Sequence, residues 1–155
     1  MGKLFHNLLE KVFNDLNAFI EEYDAECDEQ GGIRIANQDI KIVGQAALLL
    51  ADLPFPLLGT MDLDVINKIP FIIQKKLNEL LLKNRMYLDP DGIKAWMPDN
   101  THYLPLFNLS RLQVSFADPA SVVLSKARCN RMKDRVIVEN YLQHFPAFKN
   151  ELEKL

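Results

Sequence analysis

The sequence predicts one α+β domain with an α/β-like ordering, a mixed β-sheet flanked by helices. Three observations lead there. The 155 residues show no internal repeat, low-complexity linker or break in composition, and a chain of that length suits one domain that buries roughly two-thirds of its surface. Apolar residues make up 48% and charged residues 25%, the balance of an ordinary globular protein. Apolar spacing and turn residues give the order helix, strand, helix, strand, helix, several strands, then helices.

Residues 3–28 read as an amphipathic helix. Leu4, Phe5, Leu8, Leu9, Val12, Phe13, Leu16, Phe19 and Ile20 form one apolar stripe, while Glu10, Lys11, Asp15 and Glu22 face away from it. The stripe suits a core or a dimer contact equally. Gly31 and Gly32 end this helix. Ile40-Lys41-Ile42-Val43 is β-rich and leads into Gly44, after which 45–52 reads as a short, largely buried helix closed off by Pro54 and Pro56.

A strand follows over about 60–66, and Pro70 opens the next helix at its first turn. That helix has Phe71, Ile72, Leu77, Leu80 and Leu81 on its core face and Lys75, Lys76 and Lys83 on its polar one. Asp89-Pro90-Asp91-Gly92 suits a type I turn, with 86–88 and 93–97 pairing as a hairpin on either side. Strands at about 102–107 and 112–117 come next. Asp118-Pro119 then supplies an N-cap and an N1 proline for a helix to about Arg128. A further helix runs from about Lys133 to Gln143, and Pro146 sets off a short charged tail helix. The expected organisation of 1–155 is thus an N-terminal helix (1–30), a core (35–142) and a tail (143–155).

Charge and cysteine content exclude some functions. Eighteen Lys and Arg against twenty-one Asp and Glu leave a net charge of −3, so no global basic field recruits nucleic acid or an anionic membrane, although a local patch is compatible with it. Cys27 and Cys129 form no CxxC pairing, which argues against a disulfide scaffold or a zinc site. His6, His102 and His144 are scattered without ligand spacing, and Trp96 and the phenylalanines occupy core-like positions. The first residues lack a secretory cleavage pattern, and no apolar run approaches the roughly 18 residues of a membrane span. The expected location is the cytoplasm, with no membrane partner.

The chemically unusual stretch is Gly59-Thr60-Met61-Asp62-Leu63-Asp64-Val65. Strand side chains alternate between faces, so Asp62 and Asp64 point the same way, roughly 6.6 Å apart at the backbone. Like charges that close repel unless a cation sits between them or both face water. The pair therefore reads either as half of a divalent-metal site or as the solvated face of an edge strand. Metal sites built of oxygen ligands usually handle phosphates.

The order Ile42-Val43-Gly44-Gln45, a helix, then Thr60-Met61-Asp62-Leu63-Asp64-Val65 resembles the nucleotidyltransferase fold of the DNA polymerase β type. The likeness is nearest to a small prokaryotic branch that includes the AbiEii-like toxins. Later stretches are similar to the ending of that branch: Val114-Ser115-Phe116-Ala117-Asp118-Pro119, then Leu124-Ser125-Lys126-Ala127, then Arg131-Met132-Lys133-Asp134-Arg135. The resemblance covers about residues 35–142 and rests on two short motifs and their order.

It implies a nucleotidyltransferase-like mixed sheet. It also implies transfer of a nucleotidyl group from a nucleoside triphosphate to a hydroxyl of RNA, protein or a small molecule. Asp62 and Asp64 would be the catalytic metal ligands for Mg²⁺ or Mn²⁺. Gly44, Gln45, Thr60 and Lys126 would line the nucleotide. Gly44 would let the backbone pass close to the phosphates, with the following helix turning its N–H groups toward them. Lys126 would act as a cationic clamp, its alternative being a solvated helix lysine; likewise Lys126, Arg128, Arg131, Lys133 and Arg135 read as a phosphate-binding cluster or a solvated face.

This chain departs from the family pattern in having the bulkier Gln45 after Gly44 and a longer, proline-bearing run between Gly44 and Asp62. Active members also carry a third acid on a later strand. Here 102–107 and 112–116 hold no carboxylate, Asp99 falls in a Pro-Asp-Asn turn, and Asp118 fits a helix cap. The alternative expectation is therefore a catalytically degenerate nucleotide- or metal-binding module, or one member of a toxin–antitoxin-type pair with an antitoxin-like partner protein.

Overall fold

The computed structural model describes residues 2–155. Its six α-helices are α1 (Gly2–Gln30), α2 (Gly44–Leu50), α3 (Phe71–Leu82), α4 (Pro119–Cys129), α5 (Arg135–His144) and α6 (Lys149–Glu153). Its five strands are β1 (Gln38–Val43), β2 (Asp62–Val65), β3 (Tyr87–Leu88), β4 (Tyr103–Asn108) and β5 (Leu112–Ala117). The strands form one mixed sheet in the order β3-β2-β1-β5-β4. Strands β1 and β5 run parallel, as do β2 and β3, while β1/β2 and β4/β5 are antiparallel. The sequence-predicted class, an α+β fold with a mixed sheet flanked by helices, is the architecture observed.

The core lies between the sheet and the helices packed on one face of it. Ile40 and Ile42 of β1, Leu63 and Val65 of β2, and Leu112 and Val114 of β5 are buried there. The stripe of α1 meets them: Leu9, Val12, Phe13, Leu16 and Ile20 are inaccessible to solvent or nearly so, and the helix packs on α2 and α3. Leu4, expected on the same stripe, is instead exposed. Burial of Ile73, Leu77, Leu80 and Leu81 fixes the inner face of α3. Phe71 lies outside it and is exposed, a correction to its assignment as a core residue. Pro70 sits one position earlier than expected, as the N-cap of α3.

One buried carboxylate ties distant parts of the chain together. Asp24, on the inner face of α1, accepts a hydrogen bond from the Ile35 N–H at 2.7 Å and pairs with the Arg111 guanidinium. Burial pushes the Asp24 carboxyl up, but the Ile35 N–H and Arg111 outweigh that and hold it below the usual carboxylate range. The contact joins α1 to the lead into β1 and to the β4–β5 connection.

The largest departure from expectation falls at 86–97. No hairpin forms there. Tyr87 and Leu88 pair instead with β2, parallel, in the register Asp62 with Tyr87 and Leu63 with Leu88. Residues 93–97 contain no strand; Gly92–Lys94 is a single turn of 3₁₀-helix. The β2–α3–β3 segment is thus a crossover unit, and a parallel pair needs such a connection. Among the described residues no helix is long and apolar enough to cross a membrane.

A three-carboxylate cleft

Strand β2 buries Leu63 and Val65 and leaves Asp62 and Asp64 half-buried on its other face. The alternation read from the sequence is therefore present, and the two acids do share a face. The parallel register with β3 adds a third. Continued by one residue, it sets Asp89 beside Asp64, and the Asp89 N–H donates to Leu63 O at 3.0 Å. Carboxylate oxygens of Asp62, Asp64 and Asp89 all lie within 4.8 Å of one another. Sequence reasoning placed Asp89 in a turn and sought the third acid on the later strands. The turn exists, with the Gly92 N–H donating to Asp89 O at 3.3 Å, but its first residue also serves the acid cluster. A signal was available in Met86-Tyr87-Leu88-Asp89, a short apolar run ending in an acid after a helix.

Two glycines make the cluster sterically possible. Gly44 has φ +69°, and a Cβ there would collide with Asp64 Oδ2. The close approach expected between Gly44 and a ligand is thus, first of all, an approach to the second acid. At Gly92 a Cβ would lie 2.8 Å from Val65 N and 3.0 Å from Val65 O, so a side chain would push the 89–92 turn off β2 and carry Asp89 with it. Gly44→Ala is expected to destabilise the fold by about 1–3 kcal/mol through backbone strain and this collision. In an Asp64→Ala background the penalty should shrink by on the order of 1 kcal/mol. Urea denaturation of the four chains measures the coupling, and an unchanged penalty would remove the collision from the account.

Crowding of three acids has an electrostatic cost. The Asp64 carboxyl is pushed up to about 7, first by burial, then by its hydrogen bond with Asp89 and the negative charges of Asp62 and Asp89, with Lys126 pulling the other way. Asp62 is oriented separately, by the Thr60 hydroxyl donating to its Oδ1 at 2.6 Å.

Lys126 is neither solvated nor a free clamp. It is 7% exposed, and its Nζ donates to Asp134 Oδ1 at 3.1 Å. Asp134 is itself 3% exposed and accepts from Arg131 Nε at 3.0 Å through its other oxygen. One buried carboxylate thus holds two cations against the acid cluster. The basic cluster read from the sequence divides. Lys126, Arg131 and Lys133 line the cleft, whereas the Arg128 guanidinium lies 4.2 Å from the centre of the Trp96 ring and Arg135 is exposed. Trp96 is half-buried, packed against the core while also lining a cavity.

The acids open into two cavities. The larger, of about 410 Å³, is lined by Gly44, Gln45, Thr60, Asp62 and Lys126, together with Leu57 and Leu58 and one face of α5. All six residues predicted for the site, including Asp64, therefore border one space. The bulk of Gln45 does not fill it, because the Gln45 side-chain amide turns to donate to Leu58 O at 2.9 Å. The smaller cavity, of about 250 Å³, is lined by Trp96, Met97 and Asp91 and shares Gly44, Asp64, Asp89 and Lys126 with the first. Asp118 takes no part in the acid cluster: it caps α4 by accepting from the Ser121 N–H at 3.0 Å.

An all-carboxylate donor set within this span fits a hard, oxygen-preferring dication such as Mg²⁺ or Mn²⁺ better than zinc, which favours nitrogen and sulfur. The raised Asp64 carboxyl fits as well, since the charge that a proton offsets there is one a cation would offset more completely. Set against family models, curated proteins and solved structures, the chain matches none.

Proposed function

We propose that this chain is a metal-dependent nucleotidyltransferase, moving a nucleotidyl group from a nucleoside triphosphate to a hydroxyl of RNA, protein or a small molecule. The observation that carries the reading is the third carboxylate. The two-acid motif of β2 supports phosphate-bound metal by itself; Asp89 supplies the further oxygen that a transferase site needs and that the late strands lack. Its presence also removes the missing acid as a ground for reading the chain as a degenerate binding module.

In this reading Asp62, Asp64 and Asp89 hold Mg²⁺ or Mn²⁺. A bound dication neutralises charge on the triphosphate and on the departing pyrophosphate. Lys126 and Arg131, both fixed by Asp134 and both bordering the cleft, present positive charge to the phosphates. Their geometry is set before a ligand arrives, which is what electrostatic stabilisation of a charged transition state requires. Gly44 leaves room at the end of β1 for the Asp64 carboxylate to turn into the metal-binding cluster. The two cavities give the donor and the acceptor separate entries to the same carboxylates. Asp64 and Asp89 border both cavities, and in this reading Asp89 takes the proton of the acceptor hydroxyl.

The test uses pure protein with each labelled nucleoside triphosphate, Mg²⁺ or Mn²⁺, and a cell extract as the acceptor source. A labelled product is expected, and Asp62→Asn with Asp64→Asn should abolish it. Product that survives the double substitution would sink the assignment of these residues.

A further inference from the structure

The larger cavity has two chemically different halves. Its inner half is charged, bordered by the three acids, Lys126 and Arg131. Its outer half is apolar, with Leu57 and Leu58 on the segment before β2 and Val136 and Ile137 on α5. Leu58 is 85% exposed and Val136 61% exposed, so both walls offer large aliphatic side chains to the opening. Positions 133, 136, 137 and 140 share one face of α5 and the turn before it, and all four border the cavity.

The two walls are also joined outside the cavity lining. There the Phe55 ring packs on the His144 ring with 5.2 Å between centroids, and His144 Nδ1 lies 2.8 Å from Asn140 O. Nearer the acids, the Gln45 side chain holds Leu58 O. The cavity is therefore a slot running from the acid cluster and Asp134 to Leu58, Val136 and Asn140. Between Arg135 and Asn140 the helix rises roughly 7.5 Å, about the reach from an α-phosphate across a ribose to its base.

The neutral polar side chains along this slot are Gln45, Thr60 and Asn140. Gln45 is committed to Leu58 O, and Thr60 to Asp62. Asn140 borders the apolar half, and no hydrogen bond of the described residues uses its amide. We propose that the outer half of the slot seats the base of an adenine nucleotide, with the ring between Leu58 and Val136 and the Asn140 amide paired to its edge. The proposal rests on the donor reading given above and names the donor.

Aliphatic walls with a single orienting polar group make a common kind of seat for a flat, largely apolar ring. The choice of base follows from an amide that meets the N7 edge of a purine with one donor and one acceptor side by side. Adenine presents the complementary pair at N6–H and N7. The same edge of guanine presents two acceptors, O6 and N7, and sets one of them against the amide oxygen. A pyrimidine ring covers less of the two walls.

Calorimetric titration of the Mn²⁺-loaded chain with non-hydrolysable analogues of ATP, GTP, CTP and UTP tests this. The ATP analogue is expected to bind about tenfold more tightly than the others, and Asn140→Leu to remove that margin. Binding of Mn²⁺ alone should be unchanged by Asn140→Leu. Leu58→Asp, on an exposed side chain that leaves the core untouched, should weaken the ATP analogue by a similar factor. Four analogues bound equally well, or the GTP analogue bound best, would overturn the base assignment while the donor reading stands. A chain that takes up Mn²⁺ but none of the four would overturn the donor reading and the base assignment with it.

Discussion

Asp89→Asn is expected to lower the proposed nucleotidyl transfer by on the order of 10²–10³-fold, the scale of losing one preorganised electrostatic contact in an active site. Mn²⁺ affinity should fall in parallel. The fold should persist, because Asp89 is only half-buried and its backbone N–H still donates to Leu63 O. Asparagine keeps the size and one of the two oxygens of aspartate, so the loss reports charge and coordination rather than packing. Electron paramagnetic titration of Mn²⁺ into the wild-type and Asp89→Asn chains, with circular dichroism to check folding, separates the two. A variant that binds Mn²⁺ as the wild type does would leave Asp62 and Asp64 as the whole site and return the third acid to its turn.

The second large effect is a pH dependence of stability that belongs to Asp64. Its carboxyl stands at about 7 in the folded chain, against an ordinary 3.8. The folded state therefore holds this proton more tightly than the unfolded state does. The resulting stabilisation is full below about pH 4, declines as pH rises, and is lost once pH passes about 7. The carboxyl of Asp24 is shifted downward, so its opposite trend lies below the usual carboxylate range and does not mask that window. For the metal-free chain the melting temperature should fall between pH 5 and pH 8. With allowance for solvent screening at a half-buried group, the Asp64 contribution is on the order of 2–5 °C.

Two comparisons isolate that contribution. Asp64→Asn, which carries no charge at any pH, should flatten the profile and melt above the wild type at pH 8, although it cannot support activity. Saturating Mg²⁺ should also raise the wild-type melting temperature at pH 8, because the cation takes over the role of the proton. An Asp64→Asn chain with the full wild-type slope would place the titrating group elsewhere.

Most elements were legible because their signals are local and repeated. The stripe of α1 recurs over many turns, and Asp118-Pro119 states a cap and a first turn in two residues, each then found in place. The pair Asp62 and Asp64 was legible for the same reason, since alternation along a strand fixes their common face without reference to the rest of the chain. The partner of β3 was misread because two residues carry no signal of register. The turn chemistry of Asp89-Pro90-Asp91-Gly92 suggested pairing across the turn, whereas the chain pairs Tyr87 and Leu88 backward, over α3, with β2. The burial of Lys126 was not legible for a related reason. Helical spacing gives the direction of a side chain, but burial depends on what packs over it, here Asp134 from the following turn.

The sequence by itself determined the class of fold, the order of nearly all its elements, and a pair of acids aimed in one direction after a glycine. These follow from steric preference, hydrophobic period and capping, which act over a few residues. Only the tertiary structure decided that Asp89 joins the pair, that Gly44 is bare because Asp64 occupies the space of its Cβ, and that Asp134 draws Lys126 and Arg131 to the cleft. Each depends on which segments pack together, and in the case of Asp89 on a parallel pairing made across an intervening helix. The acid pair of β2 becomes a three-carboxylate cluster through that pairing, because the sheet brings together charges that the chain keeps apart.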